Sequence, residues 1–101
     1  MTRQRLATLL LLTQIMVQRG FTLYEDCETI GTDRHYTTVK FQAKNGTVLK
    51  FEIENIRLMF IKDENIADAI DDIVYYRSAM RYWKKDIEYF IDSRVLKSII
   101  I

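Results

Sequence analysis

The chain has 101 residues, 49% hydrophobic and 29% charged, with a formal net charge of +1, three glycines, no proline and one cysteine. These values fit one globular domain over residues 1–101, large enough for a single modest core, and exclude a disordered chain. They argue against gathering nucleic acid through overall charge, against two modules on a flexible linker, and against an internal disulfide or multi-cysteine metal site.

Residues 3–19 read as a first helix, rich in Leu and Met and closed by Gly20 in a left-handed C-terminal position. Arg3 and Arg5 ahead of apolar residues 6–17 resemble the start of a signal peptide. No small-x-small cleavage site follows, and a stretch interrupted by Thr8, Thr13 and Gln14 is too short to span a bilayer. The expectation is a buried helix in a cytoplasmic protein with no membrane partner; the lone Cys27 also suits a reducing compartment. On a helical wheel Leu6, Leu9, Leu10, Met16 and Val17 share one side and Leu11, Leu12 and Ile15 the other. A helix apolar all round is sandwiched between two surfaces, so it is either a core helix or one shared between subunits. In the second case Leu11, Leu12 and Ile15 form the interface line.

Residues 21–30 and 35–43 have strand composition and are joined by Gly31-Thr32-Asp33-Arg34. Asn45-Gly46 leads into a further strand at 47–54. A two-residue loop would set Phe41 against Lys50 and Val39 against Glu52. A three-residue loop, Lys44-Asn45-Gly46, sets Phe41 against Leu49 and Val39 against Phe51, keeping one face apolar, with Gly46 as the left-handed bulge residue. The longer loop is therefore predicted. The outer face then carries Tyr36, Thr38, Lys40, Gln42, Val48, Lys50, Glu52 and Glu54, with Lys40 opposite Lys50 and Asp26 or Glu28 available to neutralise them. Alternation breaks at Asn55, which makes residues 56–61 either a bent continuation or, as favoured, a separate fourth strand.

Residues 63–92 are predicted as a long second helix. Asp63 serves as N-cap, with Glu64, Asp68, Asp71 and Asp72 early and Arg77, Arg81, Lys84 and Lys85 later, as the macrodipole favours. Residues 95–101 are a terminal strand or an apolar tail. On the long helix the aromatic doublets at 75/76, 82/83 and 89/90 split into two lines. Ile73, Met80, Ile87 and Ile91 mark the buried side, flanked by Tyr76, Trp83 and Phe90. Tyr75, Tyr82 and Tyr89 lie about 100° further round and need a cover: the first helix, a second copy or another partner. A second copy running antiparallel would set the acidic half of the helix along the basic half.

No glycine-rich phosphate loop, nucleophile elbow or HExxH segment occurs, so no catalytic, cofactor-binding or metal-binding residue and no cofactor is assigned. A Cys27/His35 pair lacks an orienting third group. The trace of a metal-dependent nuclease, Asp33 with Gln42-Ala43-Lys44, lacks a second carboxylate. The α-β-β-β-α order is similar to that of the double-stranded-RNA-binding domain over residues 3–80, with His35 in its first strand connection. That family places a lysine cluster where this chain has Lys62 followed by Asp63, Glu64, Asp68, Asp71 and Asp72.

The expected fold is α+β, an antiparallel three- to four-stranded sheet packed against two helices. The expected function is a small, non-enzymatic interaction protein that forms a homodimer through the long helix or the leucine-rich first helix, or that binds an unknown protein. Its short, isoleucine-rich style looks like that of viral or mobile-element accessory proteins, in which case it would act in the host cytoplasm. The alternative is single-stranded nucleic-acid binding through Arg77, Arg81, Trp83, Lys84 and Lys85, which the near-neutral charge disfavours.

Overall fold

The computed structural model describes residues 2–55, 57–62, 70–74 and 80–99, with 70–74 and 80–82 described by backbone alone. Helix α1 (Arg3–Gln18) starts where Thr2 accepts a hydrogen bond from the Arg5 amide, a conventional side-chain N-cap. It ends in Gly20 at φ +89°, whose amide donates to the Val17 carbonyl. That residue turns the chain directly into β1 (Phe21–Ile30). Strands β2 (His35–Ala43), β3 (Val48–Ile53), β4 (Arg57–Ile61) and β5 (Ile70–Val74) follow, in a wholly antiparallel sheet of spatial order β1-β2-β3-β4-β5. Helix α2 (Met80–Phe90) then passes through a π turn (Ile91–Val95) into α3 (Leu96–Ile99). The fold is α+β, as the sequence led us to expect.

The hairpin register follows the apolar-face argument. Val39 pairs with Phe51 and Phe41 with Leu49, across a loop of Lys44, Asn45 and Gly46. Gly46 takes φ +89°, and the Thr47 amide is held by the Asn45 side chain at 3.0 Å. One face of the sheet is therefore apolar on three strands: Val39 and Phe41, Leu49, Phe51 and Ile53, Leu58 and Phe60, all buried. Phe51 meets Phe41 edge-on at 5.9 Å and Phe60 at 5.4 Å, an aromatic line across β2, β3 and β4. Residues 57–61 form the separate fourth strand, with Phe60 directly opposite Phe51.

The long helix over 63–92 is corrected. Residues 70–74 are a fifth strand, each paired with a residue of β4 from Ile61↔Ile70 to Arg57↔Val74, and the described helix is Met80–Phe90. The β-branched Ile70, Ile73 and Val74 gain a full ladder on an otherwise open edge, which outweighs the helix propensity read from local charge placement. Residues 63–69 and 75–79, with the Asp63 cap, Glu64, Asp68, Tyr75, Tyr76 and Arg77, lie outside the described residues. The antiparallel twin pairing expected of that helix loses its basis, because Asp71 and Asp72 stand on a strand and not on the helix that carries Lys84 and Lys85. The short sequence order shared with the double-stranded-RNA-binding domain is likewise broken by β5.

A terminal strand at 95–101 is also corrected, since the chain stays helical through Ile99. The π turn explains how. The Leu96 amide donates to the Ile91 carbonyl, five residues back, and this wider turn resets the angular drift of the helix. Ile91 and Val95 thereby both enter the core with no exposed surface.

Both helices cover the same sheet face, joined to it in one cluster by Leu9, Leu12, Ile15, Met16, Trp83, Ile87 and Phe90. They run in the same direction, because Thr8 meets Trp83 near one end and Arg19 meets Asp92 near the other. The Trp83 indole N–H donates to the Thr8 hydroxyl at 2.9 Å, and that hydroxyl donates in turn to the Gln4 carbonyl at 2.9 Å. Arg19 donates to both Asp92 oxygens, at 2.6 and 2.8 Å.

Thr8→Val keeps the shape and removes the acceptor for the indole N–H, so chemical denaturation should show a loss of about 1–3 kcal/mol. An unchanged midpoint would show that the bond contributes nothing. The Arg19 hydrogen bond, opposed by a smaller effect of burial, holds the Asp92 carboxyl below its usual value of 3.8. A carboxyl that titrates lower when folded adds stability above the ordinary carboxylate range and loses it as pH falls through the depressed value. Asp92 is half exposed, so Asp92→Asn should cost only about 0.5 kcal/mol near neutrality, and the difference from wild type should vanish in acid. A difference independent of pH would contradict the assignment.

Candidate interaction surface

The rotation of α1 about its axis decides which of its apolar lines is free. Leu12 and Ile15, expected at an interface, have no exposed surface, and Leu11 is half-buried against the same cluster. That expectation is corrected: the line belongs to the protein's own core. The exposed line is Leu6, Leu10 and Val17, at 47%, 62% and 54% of full exposure. A wheel of α1 misleads because two polar residues, Arg5 and Thr8, occupy the buried side. Leu10 lies two residues beyond Thr8, about 200° round the helix, so the exposed line points away from α2. Half-buried Thr13 lies on the same line, and no charged side chain occurs anywhere in residues 6–18.

Beside this line runs β1, an edge strand with no neighbour on its outer side among the described residues. Its pairing with β2 slips between Leu23 and Glu25, leaving Tyr24 as the extra residue of a bulge. Beyond the bulge the parity changes. Asp26 and Glu28 stand opposite the buried Val39 and Thr37 and so share the inner face with Leu23, while Glu25 stands opposite Lys40 on the outer face. This corrects the expected neutralisation of the Lys40 and Lys50 pair. The two lysines do face each other, but Glu25 reaches Lys40, at 3.7 Å, rather than Asp26 or Glu28. Glu28 instead accepts from Arg5 at 2.9 Å. Arg5 is 3% exposed, and its Nε and Nη1 have no hydrogen-bond partner among the described residues. Leu23, Tyr24 and Ile30 are exposed along this strand.

The outer sheet face is occupied by its own charges. Arg34, at the end of the β1–β2 turn, bonds Glu54 at 2.6 Å and Glu52 at 3.0 Å and lies 4.3 Å over the Tyr36 ring. Partial burial opposes its charge, yet the bonds to Glu52 and Glu54 outweigh that and raise its pKa. A shallow cavity of about 380 Å³ opens between Asp33, Arg34, His35, Glu54 and Asn55. Among the described residues no three His, Cys, Asp or Glu side chains come together to hold a metal ion.

The other sequence candidates are dispersed. Cys27 stands opposite Thr38 and His35 opposite Ile30, three ladder positions apart and of opposite parity, so they face opposite sides of the sheet. Asp33 precedes β2, whereas Gln42, Ala43 and Lys44 lie at its far end. The aromatic member of the nucleic-acid stretch is spent: Trp83 is 2% exposed inside the core. Lys84 is half-buried and Lys85 exposed, Arg77 lies outside the described residues, and Arg81 is described by its backbone alone. Of the tyrosine line, Tyr89 is 70% exposed, so α1 does not cover it. Position 82 falls on the same helix face seven residues earlier, and Tyr75 lies outside the described residues. No helix among the described residues is long and apolar enough to cross a membrane.

No family model, curated protein or solved structure matches the chain.

A buried sole tryptophan makes the nucleic-acid reading easy to test. Titration with single-stranded oligonucleotide should leave the intensity and emission maximum of Trp83 unchanged; strong quenching of the kind produced by base stacking would reverse that assessment.

Proposed function

We propose that the protein is a small non-enzymatic interaction module that forms a homodimer through the outward line of α1. The observation that carries this reading is the spacing of Leu6, Leu10, Thr13 and Val17. The intervals are four, three and four, symmetric about a point between Leu11 and Leu12. A twofold axis through that midpoint, with a second α1 laid antiparallel, sets Leu6 against the second copy's Val17 and Leu10 against its Thr13. A closed dimer requires such a self-complementary patch. The four-three-four spacing is also that of a coiled-coil seam, in which two helices bury a shared apolar line.

Charge supports the same reading by its absence. An exposed helix face normally carries several lysine, arginine or glutamate residues, whereas beyond Arg3 in its first turn this one offers only Leu6, Leu10, Thr13, Gln14, Val17 and Gln18. In the antiparallel arrangement Arg3 falls opposite Gly20 of the second copy, so no like charges meet. A cytoplasmic site of action belongs to this reading, in keeping with the exposed thiol of Cys27. Tyr89 favours a second surface, on the opposite flank of α2, for an unknown protein partner or for the same association.

Light scattering across a dilution series separates these surfaces. Wild type should have twice the chain mass at high concentration. Leu10→Glu should reduce it to the single-chain mass by placing two carboxylates in an apolar seam, while Tyr89→Glu should leave it doubled. A single-chain mass for wild type at every concentration would end the proposal, and loss of the dimer in Tyr89→Glu alone would move the interface to α2.

A further inference from the structure

We infer that the open edge of β1 is a docking site for an extended basic segment of another polypeptide, added to the sheet as a sixth strand. The site is a long edge. β1 offers ten residues of backbone, one side of which pairs with nothing among the described residues. Exposed Leu23, Tyr24 and Ile30 add apolar surface to it. Backbone hydrogen bonds give such strand addition its affinity, and the alternate side chains give it specificity.

The occupant is set by charge. β1 contains Glu25, Asp26 and Glu28 and no basic residue. Glu25 is engaged by Lys40 on the outer face and Glu28 by Arg5 on the inner face, and Asp26 makes no ion pair among the described residues. A second copy is a poor fit. Pairing β1 antiparallel with itself about its midpoint sets Glu25 against Asp26 in both halves, and directly opposed like charges are unfavourable. A strand carrying lysine or arginine meets the opposite condition.

The bulge makes the requirement more specific. Because parity changes at Tyr24, the inner face of the edge reads Asp26, Glu28, Ile30 in alternating order. An incoming antiparallel strand of sequence apolar-x-basic-x-basic sets its apolar residue beside Ile30 and its two basic residues beside Glu28 and Asp26. The association rests on β1 and is independent of the α1 seam, so either can fail without the other.

The test uses the peptide Val-Thr-Lys-Thr-Lys-Thr-Val, acetylated, amidated and fluorescently labelled, with the full chain at low salt. Binding by anisotropy should be saturable and weaken as salt rises, and the β1 amides should gain protection from hydrogen exchange. Replacing both lysines by glutamate should abolish binding. So should full N-methylation of the peptide, which keeps the charges and removes the backbone donors. Asp26→Lys should weaken binding about tenfold and Asp26→Asn by a smaller factor, both with unchanged circular dichroism. No binding of the lysine peptide at low salt would overturn the proposal, as would equal binding of the N-methylated peptide or protection confined to another element. Protection of β1 that rises with protein concentration in the absence of peptide would assign the edge to a second copy instead.

Discussion

The hydrogen bond from the Trp83 indole to the Thr8 hydroxyl is the constraint on which the arrangement of the helices depends. An indole N–H cannot be left dry and unbonded without a cost comparable to a whole stabilising contact. Its acceptor sits on a helix that is apolar on every side and has no other marked preference for one rotation. Fixing Thr8 toward α2 fixes the rest: Leu12 and Ile15 turn inward, Leu11 half inward, and Leu6, Leu10 and Val17 outward. The same rotation carries Arg5 under the sheet to Glu28. One polar contact thus decides which apolar line is core and which is surface.

The Tyr24 bulge has comparable leverage on the other side of the molecule. Without it, strict alternation would put Asp26 and Glu28 on the outer face beside the lysines, and Glu25 under α1. With it, Glu25 meets Lys40, and Glu28 is placed to meet Arg5. Two Arg5 nitrogens without a hydrogen-bond partner among the described residues remain as a local cost of this exchange. A single inserted residue therefore sorts three carboxylates between two faces.

Where a sequence period has a single physical solution, it could be read directly. The β2–β3 register is such a case, since sliding it by one residue would have put Lys50 and Glu52 among phenylalanines. The separate β4 was legible for a similar reason, from the broken alternation at Asn55. The extent of the second helix was not, because β5 forms by pairing with β4, a long-range contact, and local acid-then-base placement favoured a helix over 70–74 instead. The seven-residue repeat of aromatic doublets was right about Trp83 and Phe90 as core residues. Its first doublet, at 75/76, lies outside the described residues, while Ile73, read as part of the same helix, stands on β5. On α1 the wheel found two apolar lines correctly but had no means of choosing between them. The choice rests on a contact 75 residues away in sequence. The clue to the β1 bulge was present in the sequence: apolar residues at 21 and 23 followed by an aromatic at 24 already interrupt the alternation.

Gly20 gives the two proposed surfaces a fixed relation. Only Arg19 and Gly20 separate α1 from β1, and the left-handed turn at Gly20 leaves no slack in the connection. Arg19 is further clamped to Asp92, so the corner cannot swing without breaking a contact to the π turn that follows α2. The helix seam and the strand edge are thus two arms of one rigid bracket. A partner on the edge would be held at a set angle to a second copy on the seam, and a twofold dimer would present two such edges at a constant separation. If both proposed surfaces are occupied, this corner would set the spacing of the two partners rather than the capture of either alone.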